Sequence, residues 1–173
     1  MATGAIFVDG ANISRSLTAR SGGKGRPLVD YGKLIEALEA IFGMSFPFRA
    51  YYTTHRDQET AERREPFYDH LRRNGWTVFS MPARLVVNSD HPEGMWMDKG
   101  VDLAIGLDAY RLALMEQVQV LALATHDADF AQLFKRVPKS VTPVSVGWKG
   151  NISMDLEAVS RPVYLDDIGV IRR

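Results

Sequence analysis

Short apolar runs alternate with amphipathic stretches along this chain. Residues 5–8 are uniformly apolar and predict a buried strand. A polar segment over residues 14–27 follows, and its Ser21-Gly22-Gly23-Lys24-Gly25-Arg26-Pro27 portion predicts a flexible loop. Asp30 is placed as the N-cap of a helix in which Leu34, Ile35, Leu38, Ile41 and Phe42 recur at helical spacing, with Gly43 as its stop. Residues 46–53 predict a second strand. Residues 56–74 predict a surface helix with Phe67, Tyr68 and Leu71 as its apolar stripe and Asn74-Gly75 as its end.

The second half repeats this alternation. Residues 76–81 predict a third strand stopped by Pro82, and residues 85–97 an irregular hairpin turning through Pro92 and Gly94. A helix is expected over residues 100–116, carrying Val101, Leu103, Ala104, Leu107, Leu112 and Leu114, and a central strand over the apolar residues 118–124. A short helix over 130–137 with Leu133 and Phe134 inward, a fifth strand over 141–146 and a short helix over 154–159 complete the pattern. Strands alternating with helices require crossover connections, hence a parallel sheet covered on both faces. The expectation is an α/β fold in one domain over residues 1–173, a length that suits a single core.

Composition narrows the chemistry. Cysteine is absent, which excludes disulfides, thiolate metal sites and a cysteine nucleophile, and leaves carboxylates and four histidines as metal ligands. Lys+Arg and Asp+Glu both number 21, so no global cationic field is available to hold a polyanion, and any nucleic-acid contact must be local. The N-terminus lacks a basic region followed by an apolar stretch, and no run reaches the roughly 18 apolar residues of a membrane span. A cytoplasmic protein with no membrane association is expected.

Four aspartates stand where apolar runs give way to polar turns: Asp9, Asp102, Asp127 and Asp129. In an open parallel sheet the carboxyl ends of the strands are where sites assemble, so these segments are expected to meet at one rim. Clustered carboxylates raise one another's pKa, a standing cost that a hard cation relieves. Mg²⁺ and Mn²⁺ take one or two carboxylates together with waters and a phosphate oxygen, and phosphodiester hydrolysis is the reaction such a rim serves best. Each aspartate also has a purely structural reading: Asp9 as a turn or Asx cap, Asp102 as a first-turn helix carboxylate, Asp127 or Asp129 as the cap of the helix beginning at Phe130. Asp127 is the better direct ligand, and Asp129 acts through water or as the cap. Asn12 either positions a phosphate or caps the following turn and holds Asp9. Asp108 lies six residues after Asp102, about 600° round the helix, and is left out.

The strings Asp9-Gly10-Ala11-Asn12, Lys99-Gly100-Val101-Asp102 and Thr125-His126-Asp127-Ala128-Asp129-Phe130 together resemble the motifs of the NYN domain, a PIN-like nuclease group that includes the bacterial LabA-like proteins. They occur in that family's order, and the resemblance covers nearly the whole chain. It implies a PIN-like three-layer α/β/α sandwich and a metal-dependent ribonuclease using Mg²⁺ or Mn²⁺, with Asp9, Asp102, Asp127 and Asp129 at the acidic positions and Asn12 as the family's asparagine. The alternative is a non-catalytic regulatory or binding module on the same fold, since resemblance of fold does not establish turnover. Many relatives carry Ser-Gly where this chain has Thr125-His126. The threonine keeps the hydroxyl, and the imidazole either crowds the rim or contacts a phosphate.

Single-stranded RNA is the expected partner, with a homodimer allowed for. Arg15, Arg20, Lys24 and Arg26 are expected to crowd the loop after the first motif and clamp the substrate, together with Asn12, Lys99, Thr125 and His126. The arginines Arg56, Arg63, Arg64, Arg72 and Arg73 are interleaved with glutamates and read as a solvated face. Trp96, between two methionines, reads as core or interface rather than as a base-stacking platform.

Overall fold

A computed structural model describes residues 2–22, 28–90, 92–115 and 117–172. Its centre is a six-stranded, wholly parallel sheet built from β1 (Thr3–Asp9), β3 (Ser45–His55), β4 (Thr77–Pro82), β7 (Val120–Ala124), β8 (Thr142–Gly147) and β9 (Arg161–Tyr164) in the order β4-β3-β1-β7-β8-β9. Two small antiparallel pairs stand outside it. One joins β2 (Leu28–Val29) to β10 (Ile171–Arg172), and the other is the hairpin of β5 (Arg84–Val86) and β6 (Met95–Met97).

Strand periodicity divides the interior into two cores. On β1, Ile6 and Val8 point to one face, where they meet α1 (Gly10–Arg20), α2 (Tyr31–Phe42) and α3 (Gln58–Arg73). Ala5 and Phe7 point to the other, against α4 (Val101–Leu114), α5 (Ala131–Phe134) and α6 (Met154–Glu157). The result is a three-layer α/β/α sandwich. β7 is buried at every position, as its uninterrupted apolar run requires.

The expected helix of residues 30–43 forms as α2. The Asp30 carboxylate accepts from the backbone N–H groups of Gly32 and Lys33, and Gly43 closes the helix in the left-handed region at φ 64°. Other segments depart from their patterns. Residues 10–20 form a helix that runs into the polar segment expected over 14–27, so Arg15 and Arg20 stand on a helix and not on a loop. Asp9 caps it by accepting from Asn12 N–H at 2.9 Å, and burial of Ile13 and Leu17, four apart, anchors it. With only those two inward residues, the segment's apolar face is too thin to stand out in the sequence. Lys24 and Arg26 lie outside the described residues.

Helix α4 spans its expected range, and of the six residues in its pattern Val101, Ala104 and Leu112 lie in or against the core. Val101, Ile105, Ala109 and Ala113 face the core, while Leu103, Leu107 and Leu114 are exposed. Alanine at 109 and 113 lets the helix lie close to the sheet, and three leucines of the pattern are left on its outer side. β9 was not anticipated. It is a four-residue edge strand containing Pro162, whose missing N–H costs least on an edge. Trp96 is 41% exposed on the hairpin and is not a core residue.

Candidate functional site

Strands β1 and β7 are neighbours, but the chain leaves them towards opposite faces of the sheet: β1 runs into α1, and β7 into the turn that leads to α5. Their carboxyl ends therefore open a crevice, the kind of place where ligands bind in open α/β sheets. Asp9 closes β1 at its edge. The turn containing Asp127 and Asp129 begins three residues beyond β7, and Asp102 lies in the first turn of α4.

Asp9 is buried, and burial drives its pKa up to about 6, despite the N–H of Asn12 that favours the ionised form; the nearby charges of Asp102 and Asp98 add to the rise. Asp102 is also raised, first by desolvation and then by Asp127, Asp129 and Asp98. These four sequence-predicted aspartates thus form one electrostatic cluster at one rim. Asp127 accepts from the N–H of Asp129 at 2.9 Å and caps the single 3₁₀ turn Ala128–Phe130. That makes Asp127 the capping residue and leaves the Asp129 carboxylate outside this role. Helix α4 begins after Gly100 at φ 94° with no side-chain cap bond, so Asp102 is not used as one. Asp108 accepts from the Tyr52 hydroxyl at 2.6 Å, away from the cluster.

Asp98 is the group that sequence reading missed. It accepts from Arg15 at 2.8 Å and from the hydroxyl of Thr54, and it acts electrostatically on both Asp9 and Asp102. Its only signal in the sequence is a second carboxylate four residues ahead of Asp102. The buried hydroxyl of Thr54, which fixes it, is distant in the chain. Arg15, on the first turns of α1, lowers the pKa of both Asp9 and Asp102 and pairs directly with Asp98. Arg20 points elsewhere. It pairs with Asp166 and lies over the Trp148 ring at 5.5 Å.

Asn12 ties two motifs together, because its side-chain oxygen accepts from the N–H of His126 at 3.1 Å. The His126 ring is engaged on both nitrogens. Trp148 N–H donates to Nε2 at 3.2 Å, which places the proton on Nδ1, 3.0 Å from the Ser16 hydroxyl; that hydroxyl in turn donates to the carbonyl of Asn12. Burial, helped by Arg20, holds the imidazole pKa down at about 4. Gly147 is needed beside it, since a Cβ there would stand 2.7 Å from the His126 ring. Gly10 is needed for the same kind of reason, as a Cβ would collide with the Tyr51 ring. Thr125 is buried, and its hydroxyl accepts from Asp127 N–H at 3.3 Å. Lys99 is exposed next to Asp98.

Among the described residues, no group of three or more acidic or histidine side chains is arranged to hold a metal ion on its own. The donor set is all oxygen, and the carboxylates around Asp9 and Asp102 hold those two above the usual carboxylate range, which suits a hard cation that completes its shell with water and phosphate oxygens.

The NYN domain family model matches residues 4–165. Among curated proteins none is significantly similar. A solved structure of a protein of unknown function from Vibrio parahaemolyticus superposes with a TM-score of 0.73 at 22% identity, covering 99% of this chain and 96% of that one. That likeness shows the shared fold.

Proposed function

Because this chain belongs to the NYN domain family, whose PIN-like fold is that of nucleases, we propose that it is a divalent-metal-dependent ribonuclease acting on single-stranded RNA. The observation that carries the reading is the cluster of Asp9, Asp98, Asp102, Asp127 and Asp129 at the β1/β7 crevice, where Asp9 and Asp102 are both held above the usual carboxylate range by burial and by their neighbours. Unrelated capping residues have no reason to share a field.

Asp9, Asp102 and Asp127 would hold Mg²⁺ or Mn²⁺, with Asp129 one shell further out. Bound there, the ion would acidify a water and neutralise phosphate charge. The chain's own part is positioning. Asp9 cannot swing away, since the first turn of α1 is built on its carboxylate. Asn12 has its oxygen committed to His126 N–H, which leaves its amide NH₂ to meet a phosphate. Arg15 and Lys99 offer cations for the substrate's phosphates, and Lys24 and Arg26 are counted with them from the sequence alone. Arg15 exchanges Asp98 for phosphate. His126 serves as scaffold, and Thr125 shapes the turn that presents Asp127.

The test is cleavage of labelled single-stranded RNA by purified protein with Mn²⁺ and with EDTA. Cleavage should need the metal and fall at least about 100-fold in Asp9→Asn and Asp102→Asn, a scale at which loss of even an outer metal partner is felt. Metal-dependent binding without turnover by the wild type would instead favour the regulatory module.

A further inference from the structure

Helix α4 is apolar on two sides. Its inner stripe of Val101, Ile105, Ala109 and Ala113 is buried, yet Leu103, Leu107 and Leu114 are 67%, 61% and 53% exposed. Large apolar side chains lined up on the outside of a helix form a patch that is normally covered by something. With Tyr110, the outer residues follow intervals of four, three and four, the spacing of a seam between two helices. Leu103 to Leu114 covers about 16 Å at 1.5 Å per residue. That line is far longer than one nucleobase fills, and its shape matches another helix. Beside it, between α4 and α5, runs a groove of about 310 Å³ lined by Leu103, Leu107, Tyr110 and Leu133. Gly106 also lines this groove, and a Cβ there would meet nothing within 4 Å, leaving a hole for an incoming side chain.

We propose that this face docks against α4 of a second copy of the chain, antiparallel across a two-fold axis. The seam is self-complementary in that direction. Centred between Leu107 and Tyr110, antiparallel pairing opposes Leu103 to Leu114 and sets Arg111 against Gly106 of the other copy, one turn from its Asp102. A parallel pair would set Asp102 against Asp102 and Arg111 against Arg111, like against like. Opposed helix dipoles add to the preference. The groove also takes in Asp102 and Asp129, so each acidic rim would be bounded by the second copy, with its Arg111 brought to the edge of the site.

Sedimentation velocity of the full chain over a range of concentrations tests this. The wild type should reach twice the chain mass at micromolar concentration, and Leu107→Glu should weaken self-association by at least about 100-fold, which is about 2.7 kcal/mol. The cysteine-free chain permits a second test that does not depend on that variant folding. On mild oxidation Leu107→Cys, near the axis, should cross-link to itself, and Leu103→Cys, about 16 Å from its own copy along the seam, should not. A wild type that stays monomeric at all concentrations overturns the proposal, and so does a dimer insensitive to Leu107→Glu. Cross-linking through Leu103→Cys overturns the antiparallel arrangement. A monomer whose affinity for single-stranded RNA falls in Leu107→Glu assigns the face to nucleic acid instead. None of these outcomes depends on RNA cleavage.

Discussion

Asp9 and His126 carry opposite pH dependences across the same crevice. Asp9 has a folded pKa of about 6 against roughly 3.9 in an unfolded chain. Between those values only the folded state holds the proton, so this contribution to stability is complete below about pH 4 and is lost as pH rises through 6. His126 has a folded pKa of about 4 against roughly 6.5 unfolded. Its contribution is complete above pH 6.5 and is lost as pH falls towards 4. In EDTA the two slopes oppose each other between pH 4 and 6, and single variants separate them. Chemical denaturation of Asp9→Asn should show stability rising with pH across that window, and at pH 8 the variant should exceed the wild type by on the order of 2 kcal/mol. His126→Asn should show the reverse slope. An Asp9→Asn profile parallel to that of the wild type would mean the carboxylate is ionised throughout. The resonances of His126 should titrate near pH 4 and stay those of a neutral Nδ1–H ring at pH 6.

Helix α4 shows how an element can be legible in existence and hidden in orientation. Its length and boundaries follow from periodicity, yet both of its faces are apolar, so the pattern alone could not say which faces the sheet. Close packing on β1 and β3 selects the small residues. Ala109→Leu should therefore cost about 1–3 kcal/mol by overpacking. Leu103→Ala should stay within about 0.5 kcal/mol when measured dilute enough to be monomeric. Thermal denaturation of the two variants decides between the faces, and the reverse ranking would put the leucine side inward. Helix α1 is the complementary case. Its apolar content is low, and what starts it is Asp9, a residue whose carboxylate also faces the acidic cluster. Sequence reading assigned Asp9 to the site and so overlooked the helix it begins.

At the scale of the whole molecule, segments from four places in the chain meet because β1 lies between β3 and β7 in the sheet order. The carboxylates so gathered make the metal-free fold carry mutual repulsion, which a bound cation would relieve. Saturating Mn²⁺ should raise the unfolding free energy, by about 2.7 kcal/mol at one hundred times the dissociation constant. The effect should vanish in the Asp9→Asn/Asp102→Asn double variant, which should itself be more stable than the wild type in EDTA. Scanning calorimetry with and without metal reads both, and an equal shift in the two proteins would place the ion elsewhere. Among the described residues no helix is long and apolar enough to cross a membrane.

By itself, the order of apolar runs and turns determined the α/β class, the parallel sheet and the capped helix α2, because each depends on local chemistry at fixed short spacing. The family motifs added the direction of the reading. Tertiary structure decided what depends on contacts between distant segments. Asp98 joined the cluster only through Thr54 and Arg15, and β9 became a strand only through pairing with β8. His126 stood beside the motif aspartates in sequence, and only the arrival of Ser16 and Trp148 at its two nitrogens made it part of the scaffold. Which face of α4 is buried was likewise settled by how closely a helix can approach a sheet, a distance that periodicity does not encode.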